Sequence, residues 1–180
     1  MNKLVKIIGT ILGVILFISL IAGLTYAYTV WQSDNINNVV SSKCFDVLYT
    51  KGTDISGAIM PSTSYTGGLS TTIKMNINSS CNIKARGKLY LNTNEETSRN
   101  LYRTGLLNYQ VLKGSSVISG GSGSITESGE IEIDLGELTS ATSATTSYKI
   151  YVWIDYNLVE NSDAFSAYSG SIRAEAIQFE

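Results

Sequence analysis

Cys44 and Cys81 are the only thiols in a chain of 180 residues. Each sits on or beside a segment of alternating apolar pattern, CFDVLYT and CNIKARGKLYL. In an oxidising compartment two such cysteines are expected to form a disulfide. A bridge closing a loop of this length stabilises a fold by roughly 4 kcal/mol in the chain-entropy model, comparable to the net stability of a small domain. The alternative is two separately buried free thiols. A redox role would need a neighbouring cysteine or a depressed thiol pKa, and nothing in the sequence points to either. Histidine is absent, which removes both the commonest general base and the commonest transition-metal ligand. The segment DYNLVENSD offers Asp155, Glu160 and Asp163 as oxygen ligands. Their spacing matches no calcium loop, so a solvated acidic loop is the expectation. GGSGS, from Gly120, has the composition of a phosphate-cradling loop, but no Lys-Ser or Lys-Thr follows it and no helix opens after it. Serines and lysines are plentiful, yet no local signature nominates a Ser-Lys dyad. The sequence therefore nominates no catalytic, metal or cofactor-binding residue, and the expectation is a protein that is not an enzyme.

The elements around these residues begin with an address. Lys3 and Lys6 precede the apolar run IIGTILGVILFISLIAGL, Ile7 to Leu24, and no charge appears again until Asp34. This is the grammar of an export signal. As a helix the run spans roughly 27 Å at about 1.5 Å per residue, close to the hydrocarbon thickness of about 30 Å. Length therefore leaves both a signal peptide and a single-pass anchor open. The basic end stays in the cytoplasm under either reading, and the rest of the chain is translocated. Thr25-Tyr26-Ala27 places small residues three and one positions before a cut that would leave Tyr28 first. The expected division is residues 1–27 as signal peptide or transmembrane helix, 28–42 as an N-terminal strand and linker, and 43–180 as one extracytoplasmic domain. With Lys3 and Lys6 set aside, eleven basic side chains face fifteen acidic ones, so no basic stripe for nucleic acid is present.

Beyond the apolar run the hydrophobic period is two, the period of half-buried strands. Leu69, Thr71, Ile73, Met75 and Ile77 share one face, and Thr72, Lys74 and Asn76 the other, which is expected to meet water. The same alternation recurs at Ile83, Ala85, Leu89 and Leu91, at Ile131, Ile133 and Leu135, at Ile150, Val152 and Ile154, and at Ile172, Ala174 and Ala176. KCFDVLYT and LLNYQVLK are two further strands. ETSRNLYRT and SDAFSAY suit at most a turn or two of helix. KGSSVISGGSGSITESGE, the most glycine-rich stretch, predicts a mobile hairpin connection. Seven or eight strands without a crossover helix predict an all-β, antiparallel jelly-roll or Greek-key sandwich, preceded by one N-terminal hydrophobic helix.

Two surfaces are candidates for partners. YTVWQ alternates well enough for an edge strand, which makes Tyr28, Val30 and Gln32 a candidate assembly strand able to pair with a sheet edge of its own or of a neighbouring molecule. The alternative for Tyr26, Tyr28 and Trp31 is a place at the membrane interface. The aromatic strand from Tyr148 to Tyr156 gives Tyr148, Tyr151 and Trp153 as a candidate binding face.

The order of these features resembles the TasA and camelysin family of exported Gram-positive proteins. The resemblance runs through GLTYAYTVWQSDN at the end of the apolar run and CFDVLYT as first strand. It continues in MPSTSYTGGLSTTIKMNINSSCNIKARGKLYL, a proline-bearing turn followed by two long strands around an Asn-Ser corner, and closes in SGSIRAEAIQFE, with Glu175-Ala176-Ile177-Gln178. It covers most of the chain. The resemblance implies a jelly-roll fold, export, and assembly of surface, biofilm-matrix or spore-coat-associated subunits through a donated N-terminal strand. The metallopeptidase label carried by some members has no ligands here, because histidine and HExxH are absent. The two cysteines and the short central region depart from the larger matrix subunits. The expected function is a structural surface or matrix protein that associates with itself or with envelope components. The alternative is a single-pass membrane protein with an outer binding or adhesion module.

Overall fold

The computed structural model describes residues 30–32, 45–80 and 83–179. The apolar run, the Ala27-Tyr28 junction, Cys44 and Cys81 lie outside the described residues. Among the described residues twelve strands build two sheets. In chain order they are β1 (Val30–Gln32), β2 (Val47–Thr50), β3 (Ile55–Ala58), β4 (Pro61–Ser62), β5 (Leu69–Asn78) and β6 (Lys84–Thr93). They continue with β7 (Leu107–Lys113), β8 (Ser116–Ser124), β9 (Gly129–Glu137), β10 (Ser140–Ala141), β11 (Ser147–Asp155) and β12 (Ala167–Phe179). One sheet runs β1-β12-β6-β9, with β3 also on β12; the other runs β10-β5-β11-β7-β8, with β2 on β5 and β4 on β11. The long pairings are antiparallel, and among the described residues only the two-residue strands β4 and β10 pair in parallel. The helical segments among the described residues are single 3-10 turns, including Arg99–Tyr102 and Asn161–Asp163 within the two stretches expected to turn.

Both sheets contribute their apolar faces to one core. Ile73, Met75 and Ile77 of β5 and Ile150, Val152 and Ile154 of β11 meet Leu89 and Leu91 of β6, Ile133 of β9 and Ala174 and Ala176 of β12. Successive strand side chains point to opposite faces, so the period-two pattern in the sequence becomes this core directly. Tyr168 of β12 is buried with it, and its hydroxyl lies 3.1 Å from Thr93 Oγ1 on β6. Burial pushes its phenol up to about 12, against a smaller lowering by that hydrogen bond.

Two expectations change. The glycine-rich stretch from Lys113 is not a loose connection: after a tight turn it forms β8, paired with β7. Its glycines are used in packing. Gly123 lies so close to the Tyr109 ring that a Cβ there would stand 2.9 Å from Tyr109 Cε1, and the chain bulges between Val117 and Ser122, where Gly120 has φ 69°. Asn76, expected to meet water, is buried. The segment between β10 and β11 folds over it. Its Nδ2 donates to Thr139 O at 3.1 Å and Thr146 Oγ1 at 2.8 Å, and its Oδ1 accepts from the backbone N–H groups of Thr145 and Thr146 at 2.7 and 2.9 Å. Alternation placed Asn76 on the outward face correctly, but could not show that a second segment covers that face.

Candidate functional site

Among the described residues β12 is the longest strand, thirteen residues, and its two flanks are built differently. On one flank β6 pairs with every residue from Gly170 to Phe179. On the other, β3 covers Ala167 to Gly170 and β1 covers Glu175 to Ile177, with Val30 opposite Ile177, Trp31 opposite Ala176 and Gln32 opposite Glu175. No described strand pairs with Ser171 to Arg173 on that flank. The predicted edge strand thus does lie on a sheet edge, with Val30 and Gln32 inside a three-residue pairing; Tyr28 is outside the described residues.

The outward face of this sheet is a lattice of charge. On β12, Arg173 stacks its guanidinium 3.7 Å from the centre of the Tyr90 ring, and pairs with Glu130 at 3.0 Å and Glu175 at 3.3 Å. Lys88 pairs with Glu132 at 2.7 Å, and Arg86 holds Asp134 in a two-pronged contact. Burial and then the neighbouring Glu175 carboxylate push the Tyr90 phenol up. The hydrogen bonds from Arg86 hold Asp134 below the usual carboxylate range. β9, the outer strand on the far side, bears Glu130, Glu132 and Asp134 along this face. Charges in that position keep an exposed strand from pairing with another chain. The β12 flank carries β1 in place of such a guard.

The aromatic face is split by the pleat. Tyr148 points inward with Ile150 and Val152 and is fully buried, so it cannot share a contact surface with Tyr151 and Trp153. It stands three positions from Tyr151, an odd number, which puts it on the opposite side of the strand. Burial pushes its phenol up to about 12, and its hydroxyl has no hydrogen-bond partner among the described residues. Tyr151 and Trp153 point to the outward face, but Tyr151 is buried there and Trp153 half-buried. There Tyr65 packs edge-on against both, with ring centres 5.0 Å and 6.4 Å away, and Lys149 Nζ lies 4.8 Å from the Tyr151 ring centre. Asn108 and Gln110 stand opposite Trp153 and Tyr151 on β7. Tyr65, on a separate 3-10 turn, was missed because only a bend of the chain brings it to this strand.

Compared with known proteins, the chain matches no family model and has no significant match among curated sequences.

The acids considered for calcium are engaged with protein donors. Asp155 accepts from Asn157 N at 2.9 Å. Glu160 pairs with Arg103 at 2.5 Å. Asp163 is buried, bonds to Arg103, accepts from Glu160 N at 2.8 Å and contacts Asn100 Nδ2 at 3.2 Å. These oxygens face N–H groups, and no cluster of three or more metal-ligating side chains occurs among the described residues. Of the three, Asp163 departs from the expectation of a solvated acidic loop, being buried in an ion-pair network with Arg103, whereas Glu160 is exposed and Asp155 half-exposed. Sequence spacing gave no sign of it, because Asn100 and Arg103 come from a turn some sixty residues earlier. A polar cleft of about 550 Å³, lined by Asn92, Asn94, Glu95, Glu96 and Ser128, lies beyond the end of β6. It brings two carboxylates together without a base or nucleophile paired to either.

Proposed function

We propose that the chain is an exported, non-enzymatic structural protein of the cell surface or extracellular matrix, a jelly-roll sandwich that assembles through its N-terminal strand. The observation that carries this reading is the provisional flank of β12, where a strand of three residues, separated from the domain by residues 33–44, occupies an edge that a neighbour's equivalent strand would fit in the same register. Main-chain hydrogen bonds are indifferent to which copy donates the strand. Exchange therefore conserves the contact and links copies instead of closing one. Export is supported by the basic-then-apolar start of the chain, and the jelly-roll topology by a path that passes repeatedly between sheets: β5 to β6, β6 to β7, β8 to β9 and β11 to β12. The absence of histidine in the sequence supports a non-enzymatic role.

The test is the sedimentation of protein beginning at Tyr28 over a wide concentration range, with electron microscopy of the heaviest fractions. Concentration-dependent linear assemblies are expected. A persistent monomer at high concentration would contradict the reading.

A second reading is a membrane-anchored module that binds a ligand outside the cell. It is favoured by Tyr65 and Trp153, half-buried on one outward face beside Asn108 and Gln110 with Tyr151 buried beneath Tyr65, since an apolar aromatic surface with a few polar groups at its border suits a small ligand. Monodisperse protein that is retained on a glycan or matrix surface, and loses that retention on Trp153→Ala, would favour it.

A further inference from the structure

One end of β12 carries an exposed aromatic ring and the other a cleft. Just before its first residue, Phe165 is fully exposed, 104% of its reference area. The backbone there is a type II turn. Ser166 N donates to Asp163 O at 3.2 Å, Ala164 has φ −56° and ψ 134°, and Phe165 has φ 65°. That last position ordinarily belongs to glycine, and a phenylalanine there strains the backbone while its ring gains no burial. The turn is nevertheless held firmly. Arg103 grips Asp163 from below, Asn100 Nδ2 donates to Ser162 O at 2.9 Å and Ser166 Oγ at 2.8 Å, and Ile59 N donates to Ser166 O at 3.3 Å. The last contact brings the exposed Met60 beside the turn, and Tyr156 and Leu158, also exposed, lie on the neighbouring 3-10 segment. The result is an exposed ring, a knob, on a turn held by several hydrogen bonds and an ion pair.

At the other end of β12, roughly 40 Å away at about 3.3 Å per residue, Arg86, Glu137, Ile177, Gln178 and Phe179 line a cleft of about 490 Å³. Ile177 and Phe179 offer apolar walls, and the Arg86 guanidinium offers a cation to the face of an aromatic ring.

We infer that the Phe165 knob of one copy seats in this cleft at the far end of the next copy's β12. The occupant is a second copy because of where the chain outside the described residues begins and ends. β1 runs from the cleft end toward the knob end and stops opposite Glu175. The twelve residues 33–44 then reach at most about 40 Å. Phe45, where the domain resumes, precedes β2, whose Val47 pairs with Ile77 at the cleft end. A donor whose β1 lies on an acceptor's β12 can therefore place its body past the acceptor's knob, about 33 Å on at about 3.3 Å per residue from Glu175 to Phe165. It then presents its own cleft end to that knob. The direction of the contact rests on the strand-donation reading. Knob and cleft are different surfaces, so the contact does not close on itself and propagates as an open chain.

The test compares two variants of protein beginning at Tyr28 by sedimentation and microscopy, with thermal unfolding alongside. Phe165→Gly removes the ring and puts glycine where the turn favours it. The expectation is an unchanged or raised Tm together with a loss of association of at least tenfold. The double change Val30→Pro and Trp31→Pro removes β1 pairing. If the proline variant stays monomeric while Phe165→Gly assembles like wild type, the knob contact is overturned and strand donation stands. If Phe165→Gly abolishes assembly and the proline variant does not, the knob contact stands and strand donation falls. A wild-type monomer overturns both. Phe165→Glu is expected to block assembly and Glu137→Lys to restore it in the same chain. No restoration would place the knob somewhere other than this cleft.

Discussion

The two flanks of β12 show how one strand can be both core and edge. Against β6 it makes a ladder ten residues long, backed by Leu89, Leu91, Ala174 and Ala176 in the core. Against β1 it makes three pairs, with a partner that belongs to the chain but is joined to the domain by a twelve-residue stretch. Cooperative burial holds the first flank, because separating β6 from β12 would expose the core. The second flank makes four pairs with β3 and three with β1, and the backbone edge that meets β1 is one that any copy of β1 could meet. On the proposed reading, stability and assembly belong to opposite sides of one strand, and substitutions should separate them.

The largest effect is expected on the sealed flank. Leu89 is fully buried on β6, and Leu89→Ala should cost about 2–5 kcal/mol through lost transfer energy and the cavity left behind. Denaturant unfolding would measure it; a loss under 1 kcal/mol would mean that this flank is as provisional as the other.

Alkali should act next, through Tyr168 on β12 and Tyr148 on β11. Both phenols are raised to about 12 by burial, against an ordinary value of about 10. The folded state thus holds the proton more tightly than the unfolded state. The stabilisation is fully present below about pH 10 and is lost as pH rises toward 12, about 3 kcal/mol for each group. Absorbance of tyrosinate followed with circular dichroism should show two phenols ionising only as the sheet signal disappears.

On the provisional flank, Val30→Pro with Trp31→Pro should cost the fold no more than about 1 kcal/mol, since few net hydrogen bonds are lost, yet should abolish assembly. A stability loss matching that of Leu89→Ala would erase the distinction between flanks. Phe165→Gly should go the other way, adding about 1 kcal/mol by relieving the left-handed backbone. The smallest effect belongs to Asp134→Asn. Arg86 holds the Asp134 carboxyl low, so the pair contributes above the ordinary carboxylate range and the contribution fades as pH falls through the folded value. Both side chains are largely exposed, so only a slight flattening of the acid limb of the stability curve is expected.

Much of the sheet structure is legible in the sequence, because alternation at Ile73, Met75 and Ile77 or at Ile172, Ala174 and Ala176 follows from the pleat alone. The same rule, applied strictly, separates Tyr148 from Tyr151 and Trp153; grouping them by composition obscured it. What is not legible depends on contacts distant in sequence. Glycine content suggests mobility for the stretch that becomes β8, since only the Tyr109 ring across the ladder requires a side-chain-free position at Gly123. Asn76 looks solvent-facing until the Thr139–Thr146 segment closes over it. Asp163 looks like an acid in a polar loop until Arg103 arrives from another turn. Phe165 carries no signal at all, because SDAFSAY gives no hint that its phenylalanine takes a backbone position suited to glycine. The candidate assembly strand is legible as an alternating segment, while the edge it meets depends on β12 being longer than β3.

The central claim is that β1 of one copy pairs with β12 of another. A photo-crosslinking residue at position 32, opposite Glu175, tests it most directly in protein assembled from an equal mixture of nitrogen-15-labelled and unlabelled copies. Mass spectrometry of the crosslinked peptides from β1 and β12 should find about half of them pairing a labelled with an unlabelled segment. Peptides that pair only like with like would show that β1 never leaves its own chain, and would contradict the account.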